Sequence, residues 1–384
     1  QGSDFNPKFL NADGETQVPG QSTGILTDTS LDWLVTREAE KPVLLCAQYN
    51  VPHIHRIPAP ARMGGYDDYE FPEPNTLFDD FATRSPFVAD TWMALKGMKR
   101  NVLNIAPPKE ELAKLPVGQW PKFLQEMNDS QRDAWHTAYD PRNAEFRRLE
   151  AAGLLTGQAA VRYTYQRFIK DYVRCIDGLD ANIGRLLKYL DDTGLAENTI
   201  VVYSSDQGFL TGEHGWAEKR WMYEESFKSP LLIRWPGRIA PGSRIEALVQ
   251  NIDLAPTFLT AAGVEIPAEV HGIPMQPVLG GEIPDNWRKD ILYQYFDGGI
   301  PSNRGAYNMP RHEGVRDTRY KLISFYDHDA WEFYDLKNDP RELSNRMNDP
   351  RYKGEIERLK GRLSALKSQY AVPPHPNLPK GKRH

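Results

Sequence analysis

Between residues 158 and 190, Val161, Tyr165, Phe168, Tyr172, Cys175, Leu179, Ile183, Leu186 and Leu190 recur at steps of three and four. That spacing predicts one long amphipathic helix, with Gly194 as its stop. The run ENTIVVYSSD follows at once, and Thr199 to Ser204 is apolar but too short for a second helix. It reads as a buried strand. A long helix feeding a buried strand is the grammar of an α/β fold, so a mostly parallel sheet sandwiched by helices is expected. Two further runs fit the same plan. PVLLCAQY (Pro42 to Tyr49) follows an amphipathic pattern through Leu26, Leu31, Trp33 and Leu34, and reads as a strand buried on both faces. PLLIRWPG reads as a third strand after a short helix in KRWMYEESF, and LAPTFLTAAG as another helix with a glycine stop.

The remaining segments are less regular. Residues 1 to 24 are polar and predict a surface loop. Residues 56 to 150, rich in Pro, Asp, Arg and Trp, predict loops and short helices, with FPEPNTLFDD as an extended entry to one of them. Beyond Pro284, DILYQYF, GVRDTRYKLISFY and WEFYDL are aromatic and β-prone, which predicts a smaller antiparallel sheet. A charged helix over about 351–370 follows. The expected organisation is an α/β domain over 1–284 and an α+β subdomain over 285–384, with a flexible tail from about 371.

Bulk chemistry narrows the partners. The chain has 384 residues and a formal net charge of -5, so it offers no general attraction for nucleic acid or anionic membrane. No run approaches the ~18 apolar residues of a membrane span. QGSDFNPKFL contains no signal-peptide core. Cys46 and Cys175 both lie in apolar stretches and read as buried thiols rather than a disulfide.

Polar groups crowd the segment after the TIVVY strand. In α/β sheets ligands bind beyond the carboxyl ends of strands, where Asp206 and Gln207 stand. Their side-chain oxygens are hard donors suited to Ca²⁺ or Mg²⁺, although a turn-capping Asp beside a solvated Gln explains them equally. His53, in YNVPHIHR, follows the other expected strand and would share a cleft with Asp206 if the two strands were parallel; otherwise it is a structural loop histidine. Lys219 comes thirteen residues after Asp206, across a stretch with three glycines that allow the chain to fold back. There it can neutralise an oxyanion, or simply face solvent. His214 within GEHG reads either as a substrate contact or as a turn-stabilising group. His312 and Arg316 in HEGVRDTRY are candidates for substrate recognition, the alternatives being a solvent-facing ring and a guanidinium paired with a carboxylate.

With SDQG, GEHGW, KRWMYEESFKSPLLIRWPG and LVQNIDLAPTFLTAAGV in this order, the chain resembles the type I sulfatases of the alkaline phosphatase superfamily. It is most similar to the bacterial N-acetylglucosamine-6-sulfatase or mucin-desulfating type. YNVPHIHR, DYVRCIDGLDANIGRLLKYLDDTGL, HEGVRDTRYKLI and WEFYDLKNDPRELSN extend the likeness over nearly the whole chain. The resemblance implies hydrolysis of sulfate esters on glycans, with 6-O-sulfated N-acetylglucosamine as the substrate unit. It implies that Asp206 and Gln207 ligate Ca²⁺, that Lys219 binds sulfate, and that His53 contacts sulfate and the leaving oxygen. A metal and a lysine would stabilise charge spread over sulfonyl oxygens, and a histidine would protonate the departing sugar oxygen. It also implies a periplasmic or secreted location.

The chain departs from the family pattern in one respect. Such enzymes make formylglycine from the Cys or Ser of a C/S-x-P/A-x-R motif, yet Cys46 is followed by AQYN and Cys175 by IDGL. A GKWH stretch that helps hold sulfate is also absent. The expectation is a chain that begins partway through a sulfatase, binds Ca²⁺ weakly and is inactive alone. The competing readings are a phosphonate monoester or phosphodiester hydrolase of the same superfamily, and a pseudoenzyme that binds sulfated glycans without turning them over.

Overall fold

The computed structural model describes residues 3–12, 14–89, 91–98, 100–296 and 309–374. The chain divides into two compact units, one of residues 1–77 and 95–197, the other of residues 78–94 and 198–384.

The first unit is built on helices. Helix α1 spans Ser22–Thr36, α2 Asp129–Ala151 and α3 Gly157–Asp192. The long helix expected from periodicity is therefore α3, and Gly194 stops it with a positive φ of 71°. Helix α2 was hidden from the sequence reading because Pro141 sits inside it and its mean polarity is high. Its start is nevertheless written in NDSQ. Asn128 and Gln131 form a capping box, each side chain bonding the other's backbone N–H. A buried polar knot locks α2 to α3. Asp171 accepts from Tyr139 at 2.8 Å, Arg174 at 2.7 Å and Asn104 at 3.0 Å. Apolar packing around Phe5, Ile57, Phe123, Leu124, Trp135 and Tyr139 closes the core beneath it. Burying each such side chain contributes about 1.5–3 kcal/mol.

Three expectations for this unit change. The first residues are not all surface loop: Lys8–Asn11 and Gly14–Gln17 form a hairpin, and Phe5 is buried. Residues 42–49 form no strand, and Leu44 is 69% exposed. A strand needs neighbours for its backbone groups, and among the described residues none pairs with this segment. Cys46 is consequently exposed, whereas Cys175 is buried on α3 as expected.

The second unit contains the other strands. Strand β1 (Val201–Ser204) pairs with β2 (Leu231–Arg234) in antiparallel register, Val201 opposite Arg234. Every ladder among the described residues is antiparallel, so the parallel pairing that the α/β pattern suggested is not seen among them. KRWMYEESF supplies only one helical turn, Glu224–Phe227, and LAPTFLTAAG supplies α4, Leu254–Ala261. The aromatic C-terminal pieces form a four-stranded meander of β3 (Asp290–Tyr295), β4 (His312–Asp317), β5 (Tyr320–Phe325) and β6 (Ala330–Asp335). Helix α5, Lys353–Gln369, lays Ile356, Leu359, Leu363 and Leu366 over Val315, Leu322 and Phe333 of that sheet. Residues 371–374 follow it; residues 375–384, where most of the tail was expected, lie outside the described residues.

Candidate functional site

Directly after β1 the chain passes through Asp206, Gln207 and Gly208 and enters a two-rung hairpin, Leu210–Thr211 against Ala217–Glu218. Leu210 lies opposite Glu218, so the residues just outside the stem, Phe209 and Lys219, are neighbours. The Lys219 ammonium indeed lies 5.7 Å from the Phe209 ring centroid and 3.3 Å from Glu218 Oε2. Asp206 and Gln207 precede the first strand of the stem and Lys219 follows the second, so all three flank its open end. Asp206 is exposed, Gln207 half-buried and Lys219 buried. Antiparallel pairing, rather than the flexible glycine loop expected from sequence, returns the lysine to this end.

Two supports hold the Asp206–Gly208 turn. Asn251 Nδ2 donates to the Asp206 carbonyl at 3.4 Å. Asn251 is placed by the buried Asp253, which accepts from the backbone of Gln250 at 2.7 Å and of Ile273 at 2.9 Å and pairs with both guanidinium nitrogens of Arg288. Gly208 is the second support. A Cβ there would lie 2.3 Å from the Glu225 carbonyl oxygen and 2.7 Å from that of Lys228, so only glycine lets the two backbones meet.

His214 lies at the hairpin tip and is fully buried. Its Nδ1 is 2.7 Å from Asp79 Oδ2 and 3.3 Å from an Arg84 nitrogen, and its Nε2 is 3.7 Å from Glu225 Oε2. Burial pulls its pKa down, but the Asp79 and Glu225 carboxylates outweigh it and raise the value above the ordinary one. Asp79 falls to about 2 against its own burial, through His214 and Arg84. Of the two readings of His214, this enclosure matches the turn-stabilising geometry.

The two recognition candidates on β4 are also engaged. His312 is wholly buried among the rings of Trp221, Tyr293, Tyr295 and Phe325, and its Nδ1 donates to the Pro310 carbonyl at 2.9 Å. It is not solvent-facing, and burial depresses its pKa to about 4. Arg316 is half-buried and reaches Glu224 through two nitrogens, at 3.0 and 3.3 Å. The paired alternative describes it, though the carboxylate is distant in sequence. Lys321 completes this cluster at 2.8 Å from both Glu224 and Glu342.

His53 belongs to the first unit. It is half-buried, its backbone N–H bonds the Asn50 carbonyl at 2.9 Å, and its Nδ1 lies 3.1 Å from the Ile54 carbonyl.

Sequence reasoning missed Asp79, Arg84, Glu225, Asn251 and Asp253. Only the last pair carried a signal, as polar residues just ahead of a helix. Asp79 and Arg84 act through contacts across more than a hundred residues, such as the 135 between Asp79 and His214, and Glu225 reaches His214 only through the fold of the hairpin.

Comparison with known proteins places this geometry. The family model described as sulfatase matches residues 3–264, and that described as N-sulphoglucosamine sulphohydrolase, C-terminal, matches residues 212–369. An N-acetylglucosamine-6-O-sulfatase of Bacteroides thetaiotaomicron is 37% identical over 374 residues, covering 96% of this chain and 65% of the relative. The human N-acetylglucosamine-6-sulfatase is 39% identical over 123 residues, 32% of this chain and 22% of that protein. A solved structure in complex with its substrate D-glucosamine-2-N,6-O-disulfate superposes with a TM-score of 0.91 at 36% identity, covering all of this chain and 76% of the other. The chain thus spans just under two thirds of the length of the Bacteroides relative.

Proposed function

Because this chain belongs to the sulfatase family, we propose that it forms part of a sulfuric ester hydrolase acting on sulfated glycans, with 6-O-sulfated N-acetylglucosamine as the substrate unit. The observation that carries the reading is the hairpin stem. Its register returns the buried Lys219 to the open end of the hairpin, which Asp206 and Gln207 precede beyond the carboxyl end of β1. A sulfate monoester is an anion whose charge spreads over sulfonyl oxygens during cleavage, and a fixed ammonium stabilises that charge. The relatives named for this chemistry, and the neighbouring fold that holds a 6-O-sulfated glucosamine, support the choice of ester and sugar.

Lys219 is assigned to the sulfate oxygens. For His53, in the first unit, the family likeness alone supports a role in protonating the departing sugar oxygen. Asp206 and Gln207 are the right kind of donor for Ca²⁺ but supply too few oxygens, since that ion takes six to eight. Among the described residues no group of three or more His, Cys, Asp or Glu side chains converges to complete the set. The described residues therefore do not make a full calcium site, and no step is assigned to the metal or to a formylglycine. Among the described residues no helix is long and apolar enough to cross a membrane. A periplasmic or secreted location suits a polymeric glycan substrate.

Calorimetry with 6-O-sulfated N-acetylglucosamine and its unsulfated parent tests the reading. The sulfated sugar should bind about tenfold or more tightly, a difference of about 1.4 kcal/mol, and Lys219→Ala should remove that preference. Equal affinity for the two sugars would overturn the proposal.

A further inference from the structure

The hairpin that presents Lys219 is too short to define its own position. It has two paired residues on each strand, and an isolated two-stranded hairpin is at best marginally stable in water. Something else must fix its orientation. Three contacts do so. Ala217 N–H donates to the Met93 carbonyl at 3.0 Å. Glu213 closes the turn on itself by accepting from the Thr211 N–H at 2.7 Å. The third is ionic and lies at the tip, where His214 is wedged between two carboxylates on separate segments.

The second of those carboxylates matters most. Glu225 belongs to the helical turn Glu224–Phe227, whose backbone carbonyl abuts Gly208. The same turn is anchored from behind, because the Glu224 N–H donates to Glu342 at 2.7 Å and the Glu224 carboxylate meets Lys321. A line of contacts therefore runs from Asp79 to His214, to Glu225, to the backbone at Gly208, and so to Gln207 and Asp206. The hairpin itself carries the other branch, from His214 down to Lys219.

We infer that His214, held between Asp79 and Glu225, is a positioning residue that sets the spacing between Lys219 and the Asp206–Gln207 pair, and thereby the fit of the site to a sulfate group. This rests on the functional reading above. Physically, the ring is a charged spacer: carboxylates on both sides favour its protonated form, with Nδ1 bonded to Asp79 and Nε2 facing Glu225 at ion-pair distance. Burial makes the pairing geometrically strict, since an unpaired charge in this place is costly.

His214→Gly is the sharpest probe. Residue 214 has a φ of 57°, which glycine adopts freely, so the variant removes the ring without straining the turn. Amide hydrogen exchange over residues 206–219 should quicken about tenfold or more, while β5 and β6 stay unchanged. Affinity for 6-O-sulfated N-acetylglucosamine should fall about tenfold, and added imidazole should restore both readings in part. Wild-type exchange in a folded variant would overturn the clamp, as would weakened binding that imidazole does not restore. If His214→Gly fails to fold, Glu225→Gln keeps the shape and removes one charge. Faster exchange at 206–219 supports the inference there, and unchanged exchange overturns it. A wild-type chain that does not prefer the sulfated sugar, but whose variants still show local loosening, would sink the functional reading and leave the clamp standing.

Discussion

Replacing Lys321 by Met removes a charge from the most enclosed ionic cluster of the second unit. The lysine side chain has no exposure; its ammonium lies 2.8 Å from Glu224, 2.8 Å from Glu342 and 2.6 Å from the Met222 carbonyl. Methionine fills nearly the same volume and supplies no donor. Glu224 keeps Arg316, but the Met222 carbonyl loses its buried ammonium donor. Leaving a buried acceptor unsatisfied costs about 1–3 kcal/mol at any pH. Glu342 loses its cation, and its response depends on pH. Burial already raises its pKa to about 7, with Lys321 opposing the rise. Without Lys321 the value climbs further. Below about pH 6 Glu342 is protonated in both proteins, so this part of the penalty vanishes. Above pH 7 it grows by about 1.4 kcal/mol per pH unit until the variant's own pKa is reached. For a unit of roughly 200 residues, each kcal/mol lowers Tm by about 2–4 °C. Calorimetric melts should therefore show a modest drop at pH 6 and one several degrees larger at pH 8. A drop of the same size at both values would refute the reasoning.

Two further measurements bear on other buried groups. His312 is depressed to about 4 by burial, so the unfolded chain binds a proton that the fold refuses between pH 6.5 and about 4. Stability should fall by up to about 3 kcal/mol as pH drops through that window. His312→Phe should lose this portion of the slope in urea melts, and parallel slopes for the two proteins would contradict it. Iodoacetamide should label Cys46 in the folded chain and reach Cys175, only 3% exposed, after denaturation; equal labelling by mass spectrometry would contradict the burial.

Local patterns carried much of the fold. The 3.6-residue periodicity announced α3 within a few residues of its ends, and the aromatic runs announced the C-terminal meander. Both are written in which faces of an element are apolar. The same rule fails at residues 42–49, where an apolar run predicts a buried strand that does not form. An apolar run states that a segment is suited to burial, and strand pairing then depends on what lies beside it. It also missed α2, whose capping box was legible but whose polar surface and internal proline were not typical of a helix.

The sequence by itself determined the chemistry available after β1: two hard oxygens, a lysine thirteen residues on, and a histidine midway between. Only the tertiary structure decided their roles. The hairpin register brings Lys219 back beside Phe209, and Asp79 and Glu225 enclose His214 from separate segments. Residue types and their spacing are properties of one stretch of chain. Burial and charge pairing depend on segments far apart in sequence, and these become neighbours only when the chain folds.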